Sequence, residues 1–192
     1  SVGGVVTDTV LLGEGHDYVD KLMELRDKKT DLLYLPVKAR ELIAIEKATR
    51  EIDWNPEIMA SDGLLATVIN DYSKELALLE GIYAIDFFAS DDKSLKRSTQ
   101  TRKLAKIHRS QYRQRPTSYI ALGIEAYLVL HNAMNRCQKP GDRLCINKML
   151  RNTENYEGLV GKISILEKGK AKRPLIVNTI RDASAKFVVK VH

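Results

Sequence analysis

Apolar residues fall in short blocks whose spacing changes along the chain. Up to about residue 88, brief apolar runs alternate with segments of helical period. Residues 5–12 are mostly apolar and β-branched, as in a strand. Asp17 stands where it can cap a helix that covers one side with Val19, Leu22, Met23 and the Arg26 stem. Residues 31–36, Asp-Leu-Leu-Tyr-Leu-Pro, are a continuous apolar run ended by proline, the pattern of a strand buried in a parallel sheet. Leu42, Ile45, Ala48 and Ile52 then recur at helical spacing over 39–52. A strand at 57–60, the loop Ser61-Asp62-Gly63, a helix over about 64–79 and a strand at 81–88 follow. Such alternation predicts an α/β fold, a parallel sheet with flanking helices.

From residue 94 to 150 the signals are helical only. A polar, basic helix comes first, and Pro116 stops it. Thr117 or Ser118 can cap the next helix, which runs to about residue 136. Its packed stripe is predicted to be Ile120, Ile124, Tyr127, Leu128, His131 and Met134. A short helix near 146–150 comes after it. Beyond Tyr156 the pattern turns extended over 160–165, 174–180 and 187–191, with a turn at Lys168-Gly169. The expected organisation is one α/β layer from residues 1–86 and 166–192, with 87–165 as a helical segment projecting from it.

Composition narrows the possibilities. With 192 residues, 44% of them hydrophobic, the chain can bury one sizeable core or two small ones. No apolar run approaches the ~20 residues that span a bilayer. No charged-then-apolar leader opens the chain, so a cytosolic or already processed protein is expected.

The net charge of +6 comes from one segment. Lys93, Lys96, Arg97, Arg102, Lys103, Lys106, Arg109, Arg113 and Arg115 occur without a single acid among them, leaving 22 basic against 25 acidic residues elsewhere. Either this is a solvated helix face or it meets an anionic partner. No aromatic stacking platform accompanies it, so nucleic acid is not the expected partner.

Cys137 and Cys145 bracket the turn signal Pro140-Gly141, so the chain reverses between them. A structural zinc site would need four ligands. The pair therefore reads as a disulfide in an oxidising compartment, or else as two unrelated thiols. The histidines (His16, His108, His131, His192) are scattered, and no nucleophile-elbow, phosphate-loop or zinc signature occurs. Neither an enzyme nor a cofactor is expected.

Two segments carry a family resemblance: Leu32-Leu-Tyr-Leu-Pro36 with the following helix, Ile58 and Ser61-Asp62-Gly63, and Pro116-Thr-Ser-Tyr119 through Ala126-Tyr127. Their order resembles the C-terminal portion, mainly the second lobe, of the type I periplasmic solute-binding proteins of branched-chain amino-acid and amide ABC transporters. The resemblance implies two α/β lobes about a hinge that the chain crosses three times. It also implies a small polar ligand such as an amino acid, a membrane permease as partner, and a periplasmic or extracellular location after signal removal.

In that family an acid of the second lobe holds the ligand's ammonium. Asp62 matches it, although Asp62 reads equally well as the N-cap of the next helix. Tyr119 matches an aromatic lining the cleft, or else packs in the core or hinge. Lys38 stands where several relatives have an aromatic, and would suit an anionic ligand or simply be a solvated lysine.

The first lobe's sheet, its carboxylate-binding loop and the strand–helix unit opening the second lobe have no counterpart here. Part of a longer protein, or a degenerate homologue, is therefore expected, with weak or absent binding by this chain alone. Alternatives are a ligand-sensing regulator on the same scaffold, which reduced cysteines would favour, and a basic α/β protein binding RNA or an anionic partner through residues 93–115.

Overall fold

In the computed structural model, residues 3–11, 18–89 and 99–191 are described. Helices and strands alternate in the first part: α1 (Tyr18–Asp27), β1 (Leu32–Leu35), α2 (Ala39–Glu51), β2 (Glu57–Ala60), α3 (Leu64–Asp71) and β3 (Tyr83–Asp86). β1 pairs parallel with β2, Leu33 opposite Ile58, and β2 pairs parallel with β3, Met59 opposite Tyr83. Three helices follow, α4 (Thr99–Tyr112), α5 (Ser118–Asn135) and α6 (Arg143–Arg151). The last strands are β4 (Tyr156–Glu157), β5 (Lys162–Ile165), β6 (Ala171–Lys172), β7 (Leu175–Arg181) and β8 (Ser184–Val191). The hydrogen-bonded orders are β1-β2-β3-β7-β8 and, in a small antiparallel sheet, β4-β5-β6. The expected α/β class, a mostly parallel sheet with flanking helices, is what forms.

The chain divides into two compact units, Ser1–Ala84 with Thr179–Ser184, and Ile85–Asn178 with Ala185–His192. The backbone therefore passes between them three times. In the first unit α2 contributes Leu42, Ile45 and Ala48 and α3 contributes Leu65 and Val68, all buried. Ile180 completes this unit, its N–H donating to Ile82 O (3.2 Å) and its carbonyl accepting from Gly81 N (2.9 Å). In the second unit Phe88, Ala89, Leu104, Ala121, Leu159, Val160 and Ile176 form the buried cluster, with Ile120, Ile124 and Phe187 packed on it. Asp182 and Ala183, the two-residue link from β7 to β8, both have positive φ (52° and 53°), as a type I′ turn requires.

Four expectations need correction. Residues 5–11 form no strand: Val5 and Val6 are 83% exposed and Leu11 95%. β-branched composition makes a strand only when an edge is there to pair with. The segment is held instead by the Lys28–Asp8 ion pair (2.5 Å) and the Thr7–Thr30 hydroxyl contact (3.4 Å). The helix expected over 64–79 ends at Asp71 and resumes only as a 3-10 turn, Ser73–Glu75. Asn70, Asp71 and Ser73 are poor helix formers and cluster where α3 ends, yet Leu76 and Leu79 are still buried.

The third and fourth corrections concern α5. Ile120 and Ile124 of the expected stripe do pack on the buried cluster, but the fully buried residues are Ser118, Ala121, Glu125 and Ala133, so the packed face is rotated from that stripe. Tyr127 and His131 are exposed, their rings stacked on the surface with centroids 5.9 Å apart. His131 is therefore not part of the packed face. A buried carboxylate with a fixed partner, together with small residues, decides which side of α5 faces inward. Asp17, His16, His192, Lys93, Lys96 and Arg97 lie outside the described residues.

Candidate functional site

In the first unit the informative edge is the carboxyl end of β1 and β2, where open parallel sheets bind ligands. Pro36-Val37-Lys38 leaves β1, and Ser61-Asp62-Gly63 leaves β2 beside it, with Ser61 N donating to Leu35 O (3.4 Å). Lys38 is the N-cap of α2, and its backbone N–H donates to Glu41 Oε2 at 2.7 Å. Its side chain is exposed. Asp62 is exposed too, in the turn before α3. Gly63, not Asp62, is the N-cap of α3, at φ 72°, and no side chain caps that helix. The capping alternative for Asp62 thus does not hold. The αL turn needs glycine there and leaves the carboxylate on the strand-end edge.

In the second unit Thr117 is the N-cap of α5. Pro116 and Ser118 are buried, and Tyr119 is 57% exposed. Further along the same helix, Glu125 belongs to a polar cluster that the sequence reading did not locate. Glu125 Oε2 sits 2.6 Å from Arg173 Nη1, with side chains only 4% and 13% exposed. Glu125 Oε1 accepts the Leu159 N–H at 2.6 Å. The Arg173 guanidinium lies 5.2 Å from the centroid of the Phe87 ring and reaches Phe87 O at 3.4 Å. Asn178 Nδ2 donates to Phe88 O (3.2 Å) and Asp86 Oδ2 (3.4 Å), and Thr101 Oγ1 to Leu159 O (3.1 Å). The only sequence hint was Glu125 as a lone acid in a long apolar stretch.

Cys137 and Cys145 are joined in a disulfide, Cα atoms 6.0 Å apart. Asp142 caps the helix inside the loop, accepting from Leu144 N and Cys145 N at 3.0 Å. Among the described residues no cluster of His, Cys, Asp or Glu has the makings of a metal site. No helix among them is long and apolar enough to cross a membrane.

No family model and no curated protein matches this chain. Solved structures do. The leucine-binding protein LivK of Thermotoga maritima MSB8 superposes with a TM-score of 0.79 at 24% identity, covering 95% of this chain and 51% of that one. LivJ of Streptococcus pneumoniae, solved with isoleucine, gives 0.69 at 20% identity, covering 92% and 50%. A solute-binding protein of R. palustris, solved with benzoate, gives 0.72 at 15% identity, covering 97% and 50%. This chain thus spans about half the length of the structures it matches. Its fold is that of about half of a type I periplasmic binding protein of the branched-chain amino-acid transporter kind.

Proposed function

We propose that the chain is part of the solute receptor of an ABC importer for amino acids or similar small carboxylates, acting by binding rather than catalysis and working with a membrane permease. The observation that carries this reading is the superposition on LivK over 95% of the chain. The strand-end position of Asp62 supports it further. An exposed carboxylate at the carboxyl edge of a parallel sheet is placed to receive an ammonium by charge-assisted hydrogen bonds. Lys38, on the neighbouring strand's exit, favours a solute that also bears an anionic group. Tyr119 is proposed separately, on the second unit, as an aromatic contact for the solute.

The disulfide favours an oxidising compartment, hence a periplasmic or extracellular receptor over a regulator with reduced thiols. The test is titration of labelled chain with leucine, isoleucine and benzoate at millimolar concentration, followed by amide chemical shifts. Leucine should shift amides around Ser61–Gly63, and Asp62→Ala should abolish those shifts. Shifts that are indifferent to Asp62→Ala would overturn this assignment of the site.

A further inference from the structure

Six basic residues on and just after α4, Arg102, Lys103, Lys106, Arg109, Arg113 and Arg115, are all exposed. Among the described residues none of their side chains has a salt bridge or hydrogen bond. The helix buries Thr101, Leu104 and His108 on its other side. Arg102, Lys106 and Arg109 follow one another at spacings of four and three, a straight row about 10 Å long on the outward face. Arg113, at φ 57°, leaves the helix and continues the basic surface toward Arg115. Tyr112 (64% exposed) lies about a quarter-turn from the row, while Ile107 (45%) lies on the far side, bordering the buried face. Unpaired like charges on one face repel one another, and an anionic surface brought against them relieves that repulsion.

We propose that this face of α4 docks the protein on anionic phospholipid surfaces. The cations are long, free and spread along a line rather than converging on a pocket, which suits a broad field of headgroup charge and not a single oriented phosphate. Tyr112 is a side chain an interface accepts beside such a row. Single-stranded nucleic acid is disfavoured because Tyr112 is the only aromatic ring exposed on this helix, and it is partly occupied by His108, ring centroids 4.9 Å apart. The proposal does not depend on the solute-binding reading.

The test is co-sedimentation of the chain with vesicles of phosphatidylcholine alone or with about 30% phosphatidylglycerol, between ~0.05 and ~0.5 M salt. Binding is expected only to the anionic vesicles, falling steeply with salt. The variant R102E/K106E/R109E should lose at least about tenfold in partition, while K74E/K139E/K170E, with the same charge change elsewhere, should keep most of it. Circular dichroism checks both folds, and the milder R102Q/R109Q replaces the triple variant if that one unfolds. Equal binding to neutral vesicles, equal loss in both triple variants, or no binding to anionic vesicles overturns the proposal. So does tighter binding to a single-stranded RNA oligonucleotide at the same salt, which would make the partner a nucleic acid.

Discussion

Glu125 and Arg173 form an ion pair 2.6 Å apart in the interior of the second unit, joining α5 to the start of β7. Such a pair owes little net stability to its own attraction, because both charges lose water. Its removal by halves is costly. Arg173→Met should destabilise the protein by about 3–5 kcal/mol in urea unfolding, since it leaves a buried carboxylate without a counter-charge. Glu125→Leu combined with Arg173→Met should recover most of that loss. A double variant no better than the single one would show that the orphaned charge is not the cause.

Gly158 sits against this pair. A Cβ there would press into Glu125 Oε1 and lie 2.7 Å from Ile163 Cδ1 and 3.0 Å from Gly161 O. Gly158→Ala should therefore cost about 1–3 kcal/mol by overpacking. The same change at Gly123, which has open space inside α5, should instead stabilise by up to about 1 kcal/mol through helix propensity. The two thermal midpoints measured side by side check this.

Burial raises the Glu46 carboxyl above its ordinary 4.5, outweighing the opposing hydrogen bond and charge of Arg50. Its folded-state value thus exceeds the unfolded one. Below about pH 4.5 both states carry the proton and folding loses nothing. As pH rises, the unfolded state ionises first, and stability falls until pH passes the folded value. Glu46→Gln should flatten this part of the profile, gaining on the wild type as pH rises. Urea midpoints from about pH 4 to pH 7 would reveal it, and parallel profiles would refute it.

Reduction of Cys137–Cys145 opens a short loop and should lower stability by about 2–3 kcal/mol in the chain-entropy model. Thiol titration of denatured, unreduced protein should find no free sulfhydryl. Two would contradict the bridge.

By itself the chain should bind amino acids no more tightly than about millimolar, near −4 kcal/mol. A small zwitterion gains affinity only when both charged ends find partners away from water, and the role proposed for Asp62 answers only the ammonium. Calorimetry with aliphatic and small polar amino acids tests this. A micromolar ligand would mean that the residues present supply the carboxylate side as well.

The βα alternation was legible because short apolar runs such as Leu32–Leu35 differ in period from α2, but the burial expected of that strand was not met: β1 is the sheet's edge, with Leu32 49% and Tyr34 54% exposed. Asp62 was legible as a strand-end residue. Its release from capping was not, because that depends on the φ of Gly63. The Glu125–Arg173 pair was invisible for a different reason: a charge pair distant in sequence leaves no period. Hidden with it was the rotation of α5 that exposes Tyr127 and His131. At residues 5–11 composition misled, since pairing depends on a neighbour and not on the residues alone.

Neither unit is a continuous stretch of chain, and this bears on the order of events at the ribosome. The N–H of Gly81 and the carbonyl of Ile82 have been synthesised long before Ile180, the residue that satisfies both. The first unit's other segment, Thr179–Ser184, is made only after the whole of residues 85–178. The first unit cannot close before Thr179–Ser184 has been made, and until then β3 keeps an open edge, a natural target for a holding chaperone. A chain halted at residue 178 should be cut by protease within 81–86 far faster than one that runs to residue 192. Equal resistance would show that the first unit closes without its late strand.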